Sequence, residues 1–365
     1  SLAASDDNIT IFRNNITVNG SNIQGVYIQS SSSNNSVLNN TLILISDGST
    51  NIGVWVIGTS LQNTIANNFI RATKGVNTNT GIRLQNNGEF TIIQNNTIYT
   101  SGSGSNNYGI HFSSFARNVS IRNNVIITNG TTTNYGIAGT TGENYGSIVY
   151  NNITASGTSG NMGINLFGGF VNVSWNNITT TGTANNFGIG LNRVQNSSIA
   201  FNTINTNGTE SNYGIYFGTI DNHNNTIINN TIATFGTTTN SLANHGIYVS
   251  SGANNTIANN TINNTRGDAI KIDKALGFVA DNNFTSNAII SSNASWADFS
   301  LAAGINGTYL IDQPIRNYSI AGVGGIIYVQ NTTWGDIRFL LPVNGSGRNL
   351  TGINNNDVIW FGNNS

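Results

Sequence analysis

Apolar and polar residues alternate in short runs along most of the chain, and the same runs keep returning. In Gly109-Ile110-His111-Phe112, Ile110 and Phe112 face one way and His111 the other. That is the period of a half-buried strand, not of a helix. One phrase, I-x-x-N-x-I with any larger apolar residue at I, reads Ile11-Asn14-Ile16, Val37-Asn40-Leu42, Ile65-Asn68-Ile70, Ile93-Asn96-Ile98 and Ile121-Asn124-Ile126. It continues as Ile148-Asn151-Ile153, Val173-Asn176-Ile178, Ile199-Asn202-Ile204, Ile227-Asn230-Ile232 and Ile257-Asn260-Ile262, with a weaker copy at Val279-Asn282-Phe284. A second phrase, G-I-x-L, falls between copies, at Gly25, Gly53, Gly81, Gly109, Gly136, Gly163, Gly188, Gly214 and Gly246, and in altered form at Gly267. A period of about 25 to 28 residues is the mark of a solenoid.

Short strands separated by Gly, Asn, Ser and Thr give three strands per repeat. Three strands joined by turns close one coil, and stacked coils pair each strand with its equivalents in parallel. The expected fold is therefore all-β, a right-handed parallel β-helix solenoid. At about 4.8 Å per coil, about eleven coils make a rod of roughly 50 Å. The repeats occupy residues 1–284. Residues 285–365 keep apolar strand-like runs but lose the repeat, and hold both prolines with Trp296, Trp334 and Trp360. They read as irregular terminal coils or a small β cap and assembly region.

Each repeat asparagine sits between two apolar positions. Asn tolerates a left-handed backbone, so it is expected to bend the chain there. Stacked amides can also donate to one neighbour and accept from the other, giving a structural ladder of Asn14, Asn40, Asn68, Asn96, Asn124, Asn151, Asn176, Asn202, Asn230, Asn260 and Asn282. The glycine of G-I-x-L reads as a tight corner that needs φ > 0 or a missing side chain. Before it stand Tyr108, Tyr135, Met162, Phe187, Tyr213 and His245, a stack expected to steady that corner. The outward residue of the same phrase includes Tyr27, Trp55, Arg83, His111, Tyr216, Tyr248 and Lys271. Exposed aromatics with an Arg make that column a candidate interface.

Composition removes function classes more than it adds them. With 38% hydrophobic residues the chain has a core to bury, so simple disorder is excluded. Only 7% of residues are charged and the net charge is −1, which leaves no basic patch for nucleic acid. There is no cysteine, hence no disulfide and no Cys-based metal site. No apolar run reaches the ~20 residues of a membrane span. No basic-then-apolar leader stands at Ser1, so the sequence reads as a mature or excised product. The histidines His111, His223 and His245 fall in different repeats and suggest no metal site, and no cofactor is expected. Acids are scattered except around Arg266, Asp268, Lys271, Asp273, Lys274 and Asp281. That run reads first as surface ion pairs, with Asp268, Lys271, Asp273 and Asp281 the alternative catalytic set for a polysaccharide lyase or hydrolase.

Glycosylation acceptors are the other recurrent chemistry. N-x-S/T places acceptors at Asn8, Asn15, Asn19, Asn34, Asn39, Asn95, Asn118, Asn129, Asn152, Asn172, Asn177, Asn196 and Asn207, then at Asn224, Asn229, Asn254, Asn259, Asn263, Asn283, Asn293, Asn306, Asn317, Asn331, Asn344, Asn349 and Asn363. The 69 asparagines, with Ser or Thr two places on about a fifth of the time, would give only about 15. None of the ladder asparagines is an acceptor, because an apolar residue follows two places on. Acceptors beside the ladder should point outward.

The I-x-x-N-x-I copies, with "NSSIAFNTI" and "NNTIANNTI", resemble the parallel β-helix repeat family, often called right-handed β-helix or NosD-like, over Asn8 to Phe284. The C-terminal "GTYLIDQPIRNYSI" and "WGDIRFLLPVNGSGRNL" look like segments that follow such repeats in secreted, sequon-rich surface proteins of archaea and uncultured microbes. The resemblance implies the fold and mixes enzymes, surface proteins and fibres. The expected function is a non-enzymatic extracellular structural glycoprotein, a building block of a cell-surface filament or coat. Its partners would be other copies of itself, head to tail or side by side, covalent N-glycans and surface polysaccharide, without nucleic acid. A β-helix polysaccharide lyase or hydrolase and a carbohydrate-binding adhesin are the alternatives.

Overall fold

The computed structural model describes residues 2–4, 7–29, 31–86, 88–113, 116–139, 146–237, 244–264, 266–273, 275, 279–291, 298–302, 305, 308–311, 315–321, 325–330, 334–340 and 358–361, with the backbone alone for 2–4, 291 and from 311 on. Two compact units follow one another, Ser1–Ile189 and Gly190–Ser365. Both are parallel β-solenoids, and no helix occurs among the described residues.

One coil of the first unit shows the plan. Thr78–Gln85 forms its first wall, Ile92–Gln94 its second and Thr97–Gly102 its third. The next coil repeats this with Asn106–Phe112, Ser120–Arg122 and Val125–Thr132. The register places like on like: Ile82 beside Ile110, Ile93 beside Ile121 and Ile98 beside Ile126. All six are fully buried, and each contributes roughly 1.5–3 kcal/mol. A slip by one residue would turn every one of them outward, so the alternation itself fixes the register.

The asparagine ladder lies at the corner between the second and third walls. Asn96 Nδ2 donates to Asn124 Oδ1 at 3.0 Å and to the Ile65 carbonyl at 2.9 Å. The Asn96 backbone N–H donates to the same Asn124 Oδ1 at 2.9 Å. The stack runs unbroken from Asn14 to Asn176. In the second unit it runs from Asn202 through Asn230 and Asn260 to Asn287.

Three sequence expectations need correction. The left-handed residue at this corner is not the ladder asparagine but the one before it, as at Asn39, Asn67, Asn95 and Asn123, each with φ between 55° and 57°. Asn282 is not the ladder's last member, because it accepts from Asn255 Nδ2 in a separate column with Asn225. Phe284 pairs with Ile257, so the last copy of the phrase is Phe284-Asn287-Ile289. Nor does the glycine of G-I-x-L mark a corner or need φ > 0 from Gly25 to Gly246, while Gly267, at φ 157°, is out of register, because Ala269 takes the place beside Gly246. The glycine of the regular copies lies inside the first wall, where a Cβ on Gly109 would meet Ile126 Cγ2 at 2.1 Å and the Gly136 carbonyl oxygen at 2.5 Å. The first wall thus approaches the isoleucine column of the third wall more closely than any side chain allows.

A further ladder, which the sequence reading missed, precedes that glycine by two residues. Asn51, Asn79, Asn107, Asn134, Asn161 and Asn186 pass amide to amide in turn, and Asn212 passes to Asn244 in the second unit. Buried amides therefore line more than one corner of the coil, each passing its Nδ2 to the Oδ1 of the next, with the Oδ1 of the first member, Asn51, left without a partner among the described residues.

Beyond Phe284 the second unit keeps its parallel pairing through Phe299–Leu301, Thr308–Ile311, Ile315–Ala321, Gly325–Gln330 and Trp334–Leu340. The third wall has no described strand after Ala288–Ser291. Val358–Phe361 then pairs antiparallel with Gly325–Gln330. Trp334 and Trp360 lie in these strands, and Trp296 falls outside the described residues.

Candidate functional site

The acidic run near residue 270 contributes one local network. Tyr248 Oη donates to Asp273 Oδ2 at 2.8 Å, and Lys271 Nζ lies 3.7 Å from the same oxygen. The Lys271 ammonium also sits 4.9 Å over the Tyr248 ring. Burial, then the bond to Asp273, raises the Tyr248 phenol above its ordinary range. Asp268 meets His245 through its backbone, donating N–H to Nδ1 at 3.2 Å. Nδ1 also lies 3.3 Å from the Asp268 carbonyl oxygen, and burial and the nearby Lys271 charge hold that imidazole down at about 3, so it is neutral. Asp281 is an exposed left-handed corner residue with φ 52°. Lys274 falls outside the described residues. Among the described residues no three His, Cys, Asp or Glu side chains converge as metal ligands would.

The outward column of the first wall is in register as expected: Tyr27, Trp55, Arg83 and His111 lie side by side in successive coils. Tyr27 and Trp55 ring centroids are 5.1 Å apart, and the Arg83 guanidinium lies 5.5 Å from the Trp55 ring. The expectation of exposed aromatics is corrected, since Tyr27, Trp55, Arg83 and Tyr216 are half-buried and His111 and Tyr248 are buried. The column before the glycine explains part of this. Tyr108 stacks on His111 at 4.3 Å and reaches Tyr135 at 5.8 Å, while Tyr213 packs on Tyr216, His245 and Tyr248 at 5.0–5.4 Å. Burial, then the Arg83 charge, holds His111 at about 3, and burial pushes Tyr108 up to about 12. These rings consolidate the wall. A shallow groove of about 430 Å³ also runs along the third wall of the first unit, lined by Lys74, Tyr99, Ser101, Gly102, Ser103, Asn129 and Gly130.

The acceptor asparagines show the sharpest separation in the molecule. All whose surroundings are described are exposed, except Asn263 and Asn283, which are half-buried; none is buried. The ladder asparagines from Asn40 to Asn260, by contrast, are at most 2% exposed. Asn293, Asn306, Asn331, Asn344, Asn349 and Asn363 fall outside the described residues, and Asn317 is described by its backbone alone.

The exposed acceptors fall into registers that the backbone defines. Asn8, Asn34, Asn39, Asn95, Asn118, Asn196, Asn224, Asn229, Asn254 and Asn259 occupy the left-handed corner position itself, with φ between 51° and 61°. There the fold alone favours Asn, and the Thr or Ser two places on opens the next strand. A second register puts the acceptor two residues later, on the first strand position, at Asn15, Asn152, Asn172, Asn177 and Asn283. In these coils the left-handed slot holds Arg13, Tyr150, Phe170, Trp175 and Asp281 instead. Asn19, Asn129 and Asn207 lie in exposed stretches of third-wall strands. No family model matches the chain, and no curated protein or solved structure matches it.

Proposed function

We propose that this chain is a non-enzymatic extracellular structural glycoprotein, a parallel β-solenoid whose coils carry N-linked glycans outward and which builds a cell-surface filament or coat. The observation that carries the reading is the sorting of its asparagines. No described acceptor is buried, whereas the ladder members from Asn40 to Asn260 all are, although both are the same residue and often adjacent. Glycans at the corners would surround coils of very low charge, keep them soluble and cover their outer walls. The resemblance of the repeats to NosD-like β-helix proteins, and of the C-terminal segment to archaeal surface proteins, belongs to this same reading. The lyase alternative finds its best acid, Asp273, already engaged by Tyr248 and Lys271.

Intact-mass measurement on protein secreted through an N-glycosylating pathway tests the glycan half. A mass well above the bare 38.7 kDa is expected, and a mass equal to it removes the glycoprotein reading. Electron microscopy of the same preparation tests the assembly half, with fibres or sheets expected and monodisperse particles at all concentrations counting against it.

A further inference from the structure

The left-handed corner slots ask for Asn, and four of those in the first unit hold large aromatic rings. Phe90, Tyr150, Phe170 and Trp175 have φ of 55°, 58°, 60° and 59°. A bulky residue in this region is strained, and such strain persists where something else repays it. The fold covers these rings only in part, since the four are 47%, 58%, 68% and 52% exposed even where Tyr150 and Trp175 lie against one another. Three of the four, Tyr150, Phe170 and Trp175, are followed two residues later by an exposed acceptor, Asn152, Asn172 and Asn177. Between ring and acceptor stands one buried residue, Asn151, Val171 or Asn176. The two flanking residues therefore both stand outside the same corner, about 6–7 Å apart along the chain.

We infer that Tyr150, Phe170 and Trp175 are stacking platforms for the first sugar of N-linked glycans on Asn152, Asn172 and Asn177. A pyranose linked to an asparagine amide has one face of C–H bonds that packs on an aromatic ring, while its hydroxyls stay in water. The exposed part of the ring gains contact, and the sugar is held at one orientation. The inference rests on the glycoprotein reading and names the three acceptors at which the chain itself would recognise the sugar. Asn152 and Asn177 are register partners, and Asn177 Nδ2 donates to Asn152 Oδ1 at 3.3 Å. A glycosylated amide keeps one N–H for that bond. The Tyr150 and Trp175 rings lie nearly parallel, 12° between planes, with centroids 6.2 Å apart. Asn15 is the internal contrast, since its slot holds Arg13, whose guanidinium lies 4.8 Å from the Phe12 ring.

The test is glycopeptide mass spectrometry on the full chain secreted from a eukaryotic host, comparing the parent with Phe170→Asn, Phe170→Trp and Trp175→Asn. None of these substitutions creates or removes an acceptor triplet, and Asn suits the left-handed slot, so the variants should fold. The expected result is a loss of occupancy at Asn172 in Phe170→Asn by about threefold or more, the scale of one aromatic stacking contact. Occupancy at Asn95 and Asn118 should not move, Phe170→Trp should retain the parent value, and Trp175→Asn should lower Asn177 while leaving Asn172 at the parent value. If Asn95 and Asn118 carry glycans while Asn172 is empty in the parent, or is unchanged in Phe170→Asn, the platform inference falls and the glycoprotein reading stands. If no acceptor carries a glycan, both fall.

Discussion

Asn95 stands exposed in a left-handed turn, while Asn96 beside it is buried and bonded to the coils on either side. Followed through the first unit, the two columns behave differently. The inner one is Asn in every coil from Asn14 to Asn176. The outer one reads Arg13, Asn39, Asn67, Asn95, Asn123, Tyr150 and Trp175. The inner position must both donate and accept along the stack of coils. The outer position has only a backbone sign to satisfy. Departures from Asn in the outer column cost local strain and leave the ladder intact, so they are free to report on something other than folding.

The largest expected effect breaks the inner column. Asn96→Leu removes the acceptor for the backbone N–H and Nδ2 of Asn68 and the donor to the Ile65 carbonyl. With about 1–3 kcal/mol for each buried group left without a partner, the loss should reach about 4 kcal/mol. Asn95→Gly, one residue away, should change stability by no more than about 0.5 kcal/mol, since Gly accepts the same backbone freely. Urea unfolding followed by circular dichroism measures both, and similar losses in the two variants would abolish the distinction between the columns.

A second effect concerns buried polar groups that lack the ladder's compensation. His111 has no hydrogen-bond partner for either ring nitrogen among the described residues, and it faces Arg83 and Tyr108. His245 faces Lys271, Tyr213 and Tyr248, with the Asp268 backbone on Nδ1. Both are held near 3 against an ordinary 6.5. Between these values the unfolded chain binds more protons than the folded one, so stability rises with pH across that window. It should be full above about pH 6.5 and fall as pH drops toward 3. Melting temperatures at pH 7, 5 and 4 should decline in the parent and decline less in His111→Phe. Parallel decline in both would mean that this imidazole does not carry the dependence.

The walls and the first ladder could be read from the chain because Ile110 and Phe112 alternate with His111, and because Ile93-Asn96-Ile98 returns on a fixed period. The side of the corner on which the left-handed residue falls was hidden by doublets. In Asn39-Asn40, Asn67-Asn68, Asn95-Asn96 and Asn123-Asn124 both candidates are Asn. Tyr150-Asn151 and Trp175-Asn176 held the answer, since the ladder position is the one that never varies. Asn282 misled because Val279-Asn282-Phe284 satisfies the same pattern in the wrong wall, which only pairing of Phe284 with Ile257 resolves. The second ladder was written plainly as N-x-G-I, from Asn51-Ile52-Gly53 to Asn244-His245-Gly246. The reason for its glycine was not, because the opposing Ile126 lies across the coil, 17 positions along from Gly109. The burial of Trp55 and His111 likewise depends on what neighbouring coils place beside them. The acceptor sites were legible as triplets, but the offset between left-handed and strand-start acceptors is a property of the backbone.

The smallest expected effect is the most direct test of the outer column. In bare, unglycosylated protein, Trp175→Asn should stabilise the fold by about 0.5–1 kcal/mol, because an indole held at φ 59° gives way to the residue that tolerates that region best. Asn123→Trp should destabilise by a similar amount. The two substitutions exchange residues between equivalent slots two coils apart, with the Tyr150 slot between them. Denaturant midpoints on the parent and both variants give the sign. If Trp175→Asn instead loses stability, the indole is held by contacts of the fold, and its exposure no longer argues for a sugar. If it gains, the chain keeps at residue 175 a ring that the bare fold would be better without, which is the condition a platform for an added group requires.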